Sequence, residues 1–247
     1  MPFYDDILLV LAGIGAGLTG SVAGLASLVS YPVLLALGLA PVTANVSNTV
    51  ALVFSSAGSI SGSRTELTGQ APLLRRLLLA AVCGGIVGGT LLLLAPASSF
   101  QRIVPWLIGL ASIIILLPRR PPRPIAHTGK SRSLFAATAL IGVYGGYFGA
   151  AAGVLMLAAL LAMTQEPMTR SNAAKNVLLG AANAVAAVAF VFFGPVRWEA
   201  VIPLAIGLFI GGRIGPSIVR KAPAGPLRFV IALAGLGLAI DLGWQAY

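Results

Sequence analysis

GIGAGLTGSVAG, residues 13–24, is answered further along the chain by GVYGGYFGAAAG, residues 142–153. Four glycines coincide in the two stretches: Gly13 with Gly142, Gly17 with Gly146, Gly20 with Gly149 and Gly24 with Gly153. Other features follow in the same order. LAPVTAN (39–45) is answered by QEPMTRSN (165–172), and GGIVGG (84–89) by GGRIGP (211–216). The offset drifts by a few residues, so short gaps separate what reads as two copies of one unit.

The composition says where such a unit lives. Of the 247 residues, 58% are hydrophobic and 9% are charged, against about 25% charged in a soluble domain. A water-exposed surface cannot be built from so few charges, and the mean hydropathy is +0.97. The chain therefore reads as an integral membrane protein. Strand-like alternation is absent, which argues against a β-barrel, and thirty glycines suit helices that pack closely. A single cysteine, Cys83, excludes a disulfide framework and reads as a small buried apolar residue. The start, MPFYDDILLV, has no basic n-region and does not read as a cleaved signal peptide.

Eight hydrophobic segments can be drawn: 7–38, 43–62, 72–95, 100–118, 134–164, 168–193, 199–219 and 227–246. Six are near the ~20 residues that cross a bilayer. The first and fifth are longer and contain the glycine-rich stretches, so each reads as a span that is broken or re-entrant, with breaks at Gly17, Gly20, Gly146 and Gly149. The expected fold is all-α and polytopic, with two homologous repeats of four spans each. The first repeat covers 1–118 and the second 134–247. Between them, 119–133 is Pro-rich and holds Arg119, Arg120, Arg123, Lys130 and Arg132, which reads as a basic cytoplasmic linker.

Charge placement bears on the orientation of the repeats. If each long segment is one span, the repeats are parallel and the basic residues divide between the two sides. If each long segment enters and turns back, the repeats are inverted and both termini lie outside. Arg64, Arg75, Arg76, the linker charges, Arg170, Arg220, Lys221 and Arg228 then all fall inside, leaving Arg102 and Arg197 outside. The positive-inside rule favours the inverted arrangement. It also accounts for the net charge of +10 without a nucleic-acid partner.

Several patterns carry no chemistry here. GAGLTG (15–20) fits the dinucleotide-binding pattern but lies in a bilayer-length run, with no acidic residue between Asp6 and Glu66. PIAHTGKS (124–131) ends like a phosphate loop yet begins on proline. His127, the one histidine, has no carboxylate or cysteine near it in sequence, so neither a metal site nor an acid–base pair is expected. No cofactor is expected, and an enzyme is disfavoured.

The polar residues inside the spans are more informative. On a helix over 168–193, Asn172, Lys175, Asn176 and Asn183 share one face. The matching segment in the first half puts Asn45, Asn48, Thr49, Ser56 and Ser59 on one face. The two stripes pair as Asn45/Asn172, Asn48/Lys175, Thr49/Asn176 and Ser56/Asn183. Interhelical hydrogen bonds, about 0.6 kcal/mol each, suffice to explain the amides and hydroxyls. Lys175 is harder to explain, because a lysine at a helix centre costs about 2.5–3.5 kcal/mol. Its bland reading is a salt bridge or snorkelling to the cytoplasmic face. The functional reading is a counter-charge for an anion, helped by the helix N-termini that follow each glycine-rich break. Tyr144 and Tyr147 would add hydroxyls. Arg213 is a second cation within the spans, for which snorkelling is an equal reading. Trp106, Trp198 and Trp244 read as interfacial anchors.

These stretches, together with LALGLAPVTANVSNT, EPMTRSNAAKN and GLFIGGRIGPSIVRK, resemble the TauE/SafE family of membrane exporters, the sulfite exporter or TSUP family. The resemblance covers nearly the whole chain. It departs in two places: the usual glycine run is diluted to GIGAG and GVYGG, and the first repeat has no lysine equivalent to Lys175. The resemblance implies transport of small sulfur-containing or carboxylate anions such as sulfite, sulfonates, sulfoacetate or thiosulfate. The expectation is therefore a multi-pass transporter, an exporter by alternating access, in a bacterial inner membrane. Its partners would be a small anionic substrate and the lipid bilayer, with a homodimer left open. The other reading kept is a non-transporting membrane scaffold with a structural polar core.

Overall fold

The computed structural model describes residues 3–116, 130–220 and 225–246. Eleven helices are present among them: α1 (Phe3–Ala23), α2 (Ala26–Ala36), α3 (Pro41–Gly62), α4 (Arg64–Leu67), α5 (Ala71–Leu94), α6 (Ala97–Leu116), α7 (Lys130–Tyr147), α8 (Ala152–Met163), α9 (Met168–Phe193), α10 (Trp198–Val219) and α11 (Gly225–Ala246). The described residues contain no strand. Among the described residues, four helices are long and apolar enough to cross a membrane, at 4–23, 71–94, 168–193 and 198–219, and α2 and α8 are shorter apolar helices.

Proline sets several of the starts. Pro41 opens α3 and Pro72 lies in the first turn of α5, where a missing N–H costs nothing. The two long hydrophobic segments are each broken in two, as expected; the second break includes the expected Gly149, whereas the first falls later than the sequence suggested, at Gly24. Gly17, Gly20 and Gly146 lie inside helices. The chain leaves α1 through Gly24 (φ +78°) and leaves α7 through Gly149 (φ +76°), followed by Ala151 in the left-handed region (φ 57°). Gly17 has a packing role instead. A Cβ there would stand 2.5 Å from the Leu208 carbonyl oxygen and 2.7 Å from the Gly212 nitrogen.

Glycine contacts weld the helices into two groups. Gly13 meets Leu204 and Gly207 of α10, and Gly17 meets Leu208 and Gly211, so α1 and α10 run in the same direction. Gly58 and Gly62 of α3 meet 209–213 and 213–216 of α10, again with rising numbers on both sides. The second group repeats the device. Gly84 and Gly88 of α5 meet 139–143 and 143–147 of α7, while Gly85 and Gly89 meet 182–185 and 186–190 of α9. Backbones come this close only where the side chain is a hydrogen.

Between the groups the direction reverses. Gly180 of α9 touches Ser56 and Ile60 of α3, whereas Gly194 touches Val46. Thus α1, α3 and α10 run one way and α5, α7 and α9 the other. α2 doubles back along α3: Ser30 Oγ donates to Asn48 Oδ1 at 2.6 Å, and a short turn then leads into Pro41. At 1.5 Å per residue its 11 residues reach about 17 Å, short of the ~30 Å hydrocarbon core. It is accordingly enclosed by protein, with Ser27, Leu28, Ser30, Tyr31 and Leu34 buried. α6 and α11 pack mainly on each other.

Other differences from the sequence reading are small. α7 begins at Lys130, so 130–133 open a helix and do not belong to the linker. The rest of the proposed linker, with His127, lies outside the described residues, as does Lys221. Cys83 is exposed on the outer face of α5 and is not a core residue. The short helix α4 was not anticipated.

Candidate functional site

The two breaks cross at the centre of the molecule. Gly24 and Gly153 touch backbone to backbone, and a Cβ on either would overlap the other chain segment. Around this crossing lies a cavity of about 60 Å³. α3 contributes Leu52, Ser55, Ser56 and Ser59, a stripe spaced three and four residues apart. α9 contributes Lys175, Asn176, Leu179 and Asn183, and the breaks contribute Gly20, Gly24, Gly149 and Gly153. The first residues of both half-helices complete the wall, Ala26 and Ser27 of α2 and Ala152 of α8.

Those helix starts matter electrostatically. The N-cap positions, Leu25 and Ala151, make no side-chain capping bond. The first N–H groups of a helix have no partner within it, and the peptide dipoles leave that end partially positive. Two such ends meet at one cavity. Ions of negative charge are stabilised by this arrangement.

The ends that precede the breaks are treated in the opposite way. Lys175 is 1% exposed, and its Nζ donates to the carbonyl oxygens of Gly20 (2.9 Å) and Ser21 (3.2 Å) in the last turn of α1. Asn172 Nδ2 also donates to Ser21 O, at 2.8 Å. At the end of α7, Asn45 Nδ2 donates to Tyr147 O at 2.9 Å. A cation and amide donors at a helix C-terminus satisfy carbonyls that the helix leaves open. Lys175 is therefore buried and does not snorkel to the surface. It is held deep, partly by carbonyl dipoles, and the residue lines the cavity.

The structure divides the sequence-predicted residues. Lys175, Asn176, Asn183 and Ser56 line the cavity together with Gly20 and Gly149. Asn176 Nδ2 is buried without a hydrogen-bond partner, a donor aimed at a polar cavity. Asn45 and Asn172 cap broken helices. Asn48 holds α2 through Ser30, and Thr49 Oγ1 donates to Asn45 O at 2.9 Å. Tyr144 Oη donates to Ala150 O at 2.6 Å, bracing the second break. Tyr147 packs its ring on Phe100, 5.8 Å between centroids. Arg213 is exposed and donates to Ser61 Oγ at 3.3 Å. None of these last seven lines the cavity. The starts of α2 and α8 are the helix N-termini expected after the breaks, whereas Ser27 and Ser55 were missed. Ser55 was legible in principle, being one turn before Ser59 on the same stripe.

Among the described residues no cluster of histidine, cysteine and carboxylates is suited to a metal ion. A helical, multi-pass membrane protein whose polar, cation-bearing cavity lies where two broken helices cross has the features of a solute transporter. The comparison with known proteins makes that class definite. The chain belongs to the sulfite exporter TauE/SafE family, whose model matches residues 9–242. It is 24% identical to the "Probable membrane transporter protein ORF9" of Sinorhizobium sp, across 98% of this chain and 94% of that protein. It is also 24% identical to the "Probable membrane transporter protein YfcA" of Escherichia coli K12 (100% and 92% covered). A "Probable membrane transporter protein" of Haemophilus influenzae is 22% identical, with 99% of each chain covered. No solved structure matches the chain. The protein is thus a membrane transporter and not an enzyme, which sets the scaffold reading aside.

Proposed function

We propose that the protein moves small oxyanions or organic anions out of a bacterial cell across the inner membrane, by alternating access between two inverted repeats. The observation that carries the anion assignment is the convergence of two uncapped helix N-termini and the Lys175 ammonium on one cavity. Asn176, Asn183, Ser55, Ser56 and Ser59 supply further donors. Sulfite, thiosulfate and small sulfonates or carboxylates are the class in view, and a cavity of about 60 Å³ favours its smaller members. Expelling one anionic charge from a negative interior gains about 2.3 kcal/mol per 100 mV, so export needs no proton relay.

Several contacts support the inverted arrangement. The helices matched in sequence, α1 with α7 and α3 with α9, run in opposite directions. Positions matched in sequence, Gly20/Gly149, Gly24/Gly153, Leu52/Leu179 and Ser56/Asn183, line the same cavity. Asn45 and Asn172, also matched, each cap the broken helix of the other half. Arg170 and Arg220 both bond to residues of the 62–68 segment, whereas parallel repeats would put that segment on the opposite side from them.

A thermal-shift screen of the purified protein tests the assignment. Sulfite, thiosulfate, sulfoacetate, taurine and short carboxylates are the probes, with potassium chloride at equal ionic strength as control. At least one small divalent or monovalent oxyanion is expected to raise the melting temperature in a saturable way. No response to any of them, with no anion-dependent flux in liposomes, refutes the anion assignment.

A further inference from the structure

The connection from α3 to α5 crosses from one glycine-welded group to the other, and it is tied to both. Glu66, in α4, accepts a two-pronged pair of bonds from Arg220 at the end of α10, Nε to Oε1 at 2.6 Å and Nη2 to Oε2 at 3.0 Å. The same Arg220 Nη2 donates to Gly62 O at 3.0 Å. On the other side, Gln70 Nε2 donates to Glu66 O at 2.8 Å and to Arg170 O of α9 at 3.0 Å. Arg170 Nη1 donates to Thr68 O at 3.0 Å, and its Nε donates to Glu166 at 2.5 Å. Forked guanidinium–carboxylate pairs are geometrically exacting. The bonds from Arg220 hold the Glu66 carboxyl below the usual carboxylate range.

This tie lies at the cavity's end of the molecule. The cavity takes the second half of α3, up to Ser59, and the first half of α9, from Lys175. Because α3 and α9 run in opposite directions, both halves point to the end that holds Ser63–Gln70, Arg170 and Arg220. At the opposite end the Arg197–Glu199 pair (3.4 Å) joins residues two apart in the chain, and the groups are joined there by an uncharged bond, Asn45 Nδ2 to Tyr147 O at 2.9 Å.

We propose that Ser63–Gln70, clasped by Arg220 from one group and Arg170 from the other, is a latch that closes the cavity toward this end and must open for the groups to rock apart. This rests on the alternating-access reading above. The latch favours the state in which this end is shut, and weakening it shifts the population toward the open state.

The test follows cavity accessibility with no anion present, so its outcome is independent of whether the cavity binds one. Ser55→Cys is introduced in a Cys83→Ser background, and its labelling by a membrane-impermeant maleimide is timed from each face of oriented vesicles. Glu66→Gln and Arg220→Gln are each expected to speed labelling from the latch face by up to about fivefold, the upper range of coupling that exposed ion pairs return. Labelling from the opposite face should slow or stay constant. The exchanged pair, Glu66→Arg with Arg220→Glu, should restore the original rate. Unchanged rates in both single variants overturn the proposal, as does equal acceleration from both faces, which would mean general loosening. If the single variants misfold, the exchanged pair and Gln70→Ala carry the same test.

Discussion

Replacing Lys175 by methionine separates its two tasks. The stem keeps its length and the ammonium is lost. The bonds to Gly20 O and Ser21 O are among those lost, and bonds from a charged donor are worth about 1.5–3 kcal/mol each, less for the longer one. Neither carbonyl is orphaned: Gly20 O still accepts from the Gly24 N–H at 2.8 Å, and Ser21 O from Asn172 at 2.8 Å. Against the loss, a buried lysine no longer has to be desolvated, which recovers about 2.5–3.5 kcal/mol. The recovery offsets most of the loss, so the variant should be destabilised by no more than about 3 kcal/mol.

Anion binding should respond quite differently. Losing a charge-assisted contact of about 1.5–3 kcal/mol weakens affinity by ten- to over a hundredfold. At a concentration of about 100 Kd the parent gains about 2.7 kcal/mol, while a variant a hundredfold weaker gains about 0.4 kcal/mol. For a chain of this size that is a rise of about 5–10 °C against about 1 °C. Differential scanning fluorimetry in detergent, with and without the anion found by screening, measures both quantities, and flux in proteoliposomes should fall in parallel. A variant that keeps the full anion-induced shift refutes Lys175 as the counter-charge. One that melts lower by more than about 3 kcal/mol without anion makes the lysine chiefly a pin for α1.

Two glycines of one helix should respond oppositely to alanine. Nothing lies within 4 Å of a Cβ at Gly15, so Gly15→Ala should be neutral or stabilise by up to about 1 kcal/mol through the unfolded chain. Gly17→Ala drives a methyl into the α10 backbone and should cost about 1–3 kcal/mol or more. Melting curves of the pair check this, and equal effects would mean that α1 and α10 are not so closely packed. Asn45→Ala removes the amide donor from Tyr147 O at the end of α7 and should cost about 1–3 kcal/mol. In the same melts an unchanged stability would mean that water or another donor replaces it.

Much of the fold was readable from residue types. Proline and glycine punctuated the chain close to the observed ends of α3, α5 and α9, and the repeated glycine stretches marked both broken segments. Gly149 was read as a break, but which of the other glycines turn the chain was not readable, because a glycine that turns the chain and a glycine that lets helices touch are the same residue. Gly17 and Gly24 differ only in what stands beside them: the backbone of α10 for one, Gly153 for the other. The polar stripes were read as helix faces, and a face is longer than a site. The stripe of α3 runs from Asn45 to Ser59, and only its second half reaches the cavity; the first half is used up in holding α2 and the end of α7.

The sequence alone therefore determined that this is a membrane-embedded, all-helical chain with a lysine and matched polar stripes inside its spans, since composition and periodicity act through the solvent and need no neighbours. Tertiary structure decided which of those polar groups face one another. Lys175 and Asn48 occupy matched positions, but only the first reaches the carbonyls of a broken helix and the cavity beside it. That outcome depends on the crossing of Gly24 over Gly153 and on the opposed run of α3 and α9. These are distances between residues far apart in the chain, set by backbone packing rather than by any local pattern.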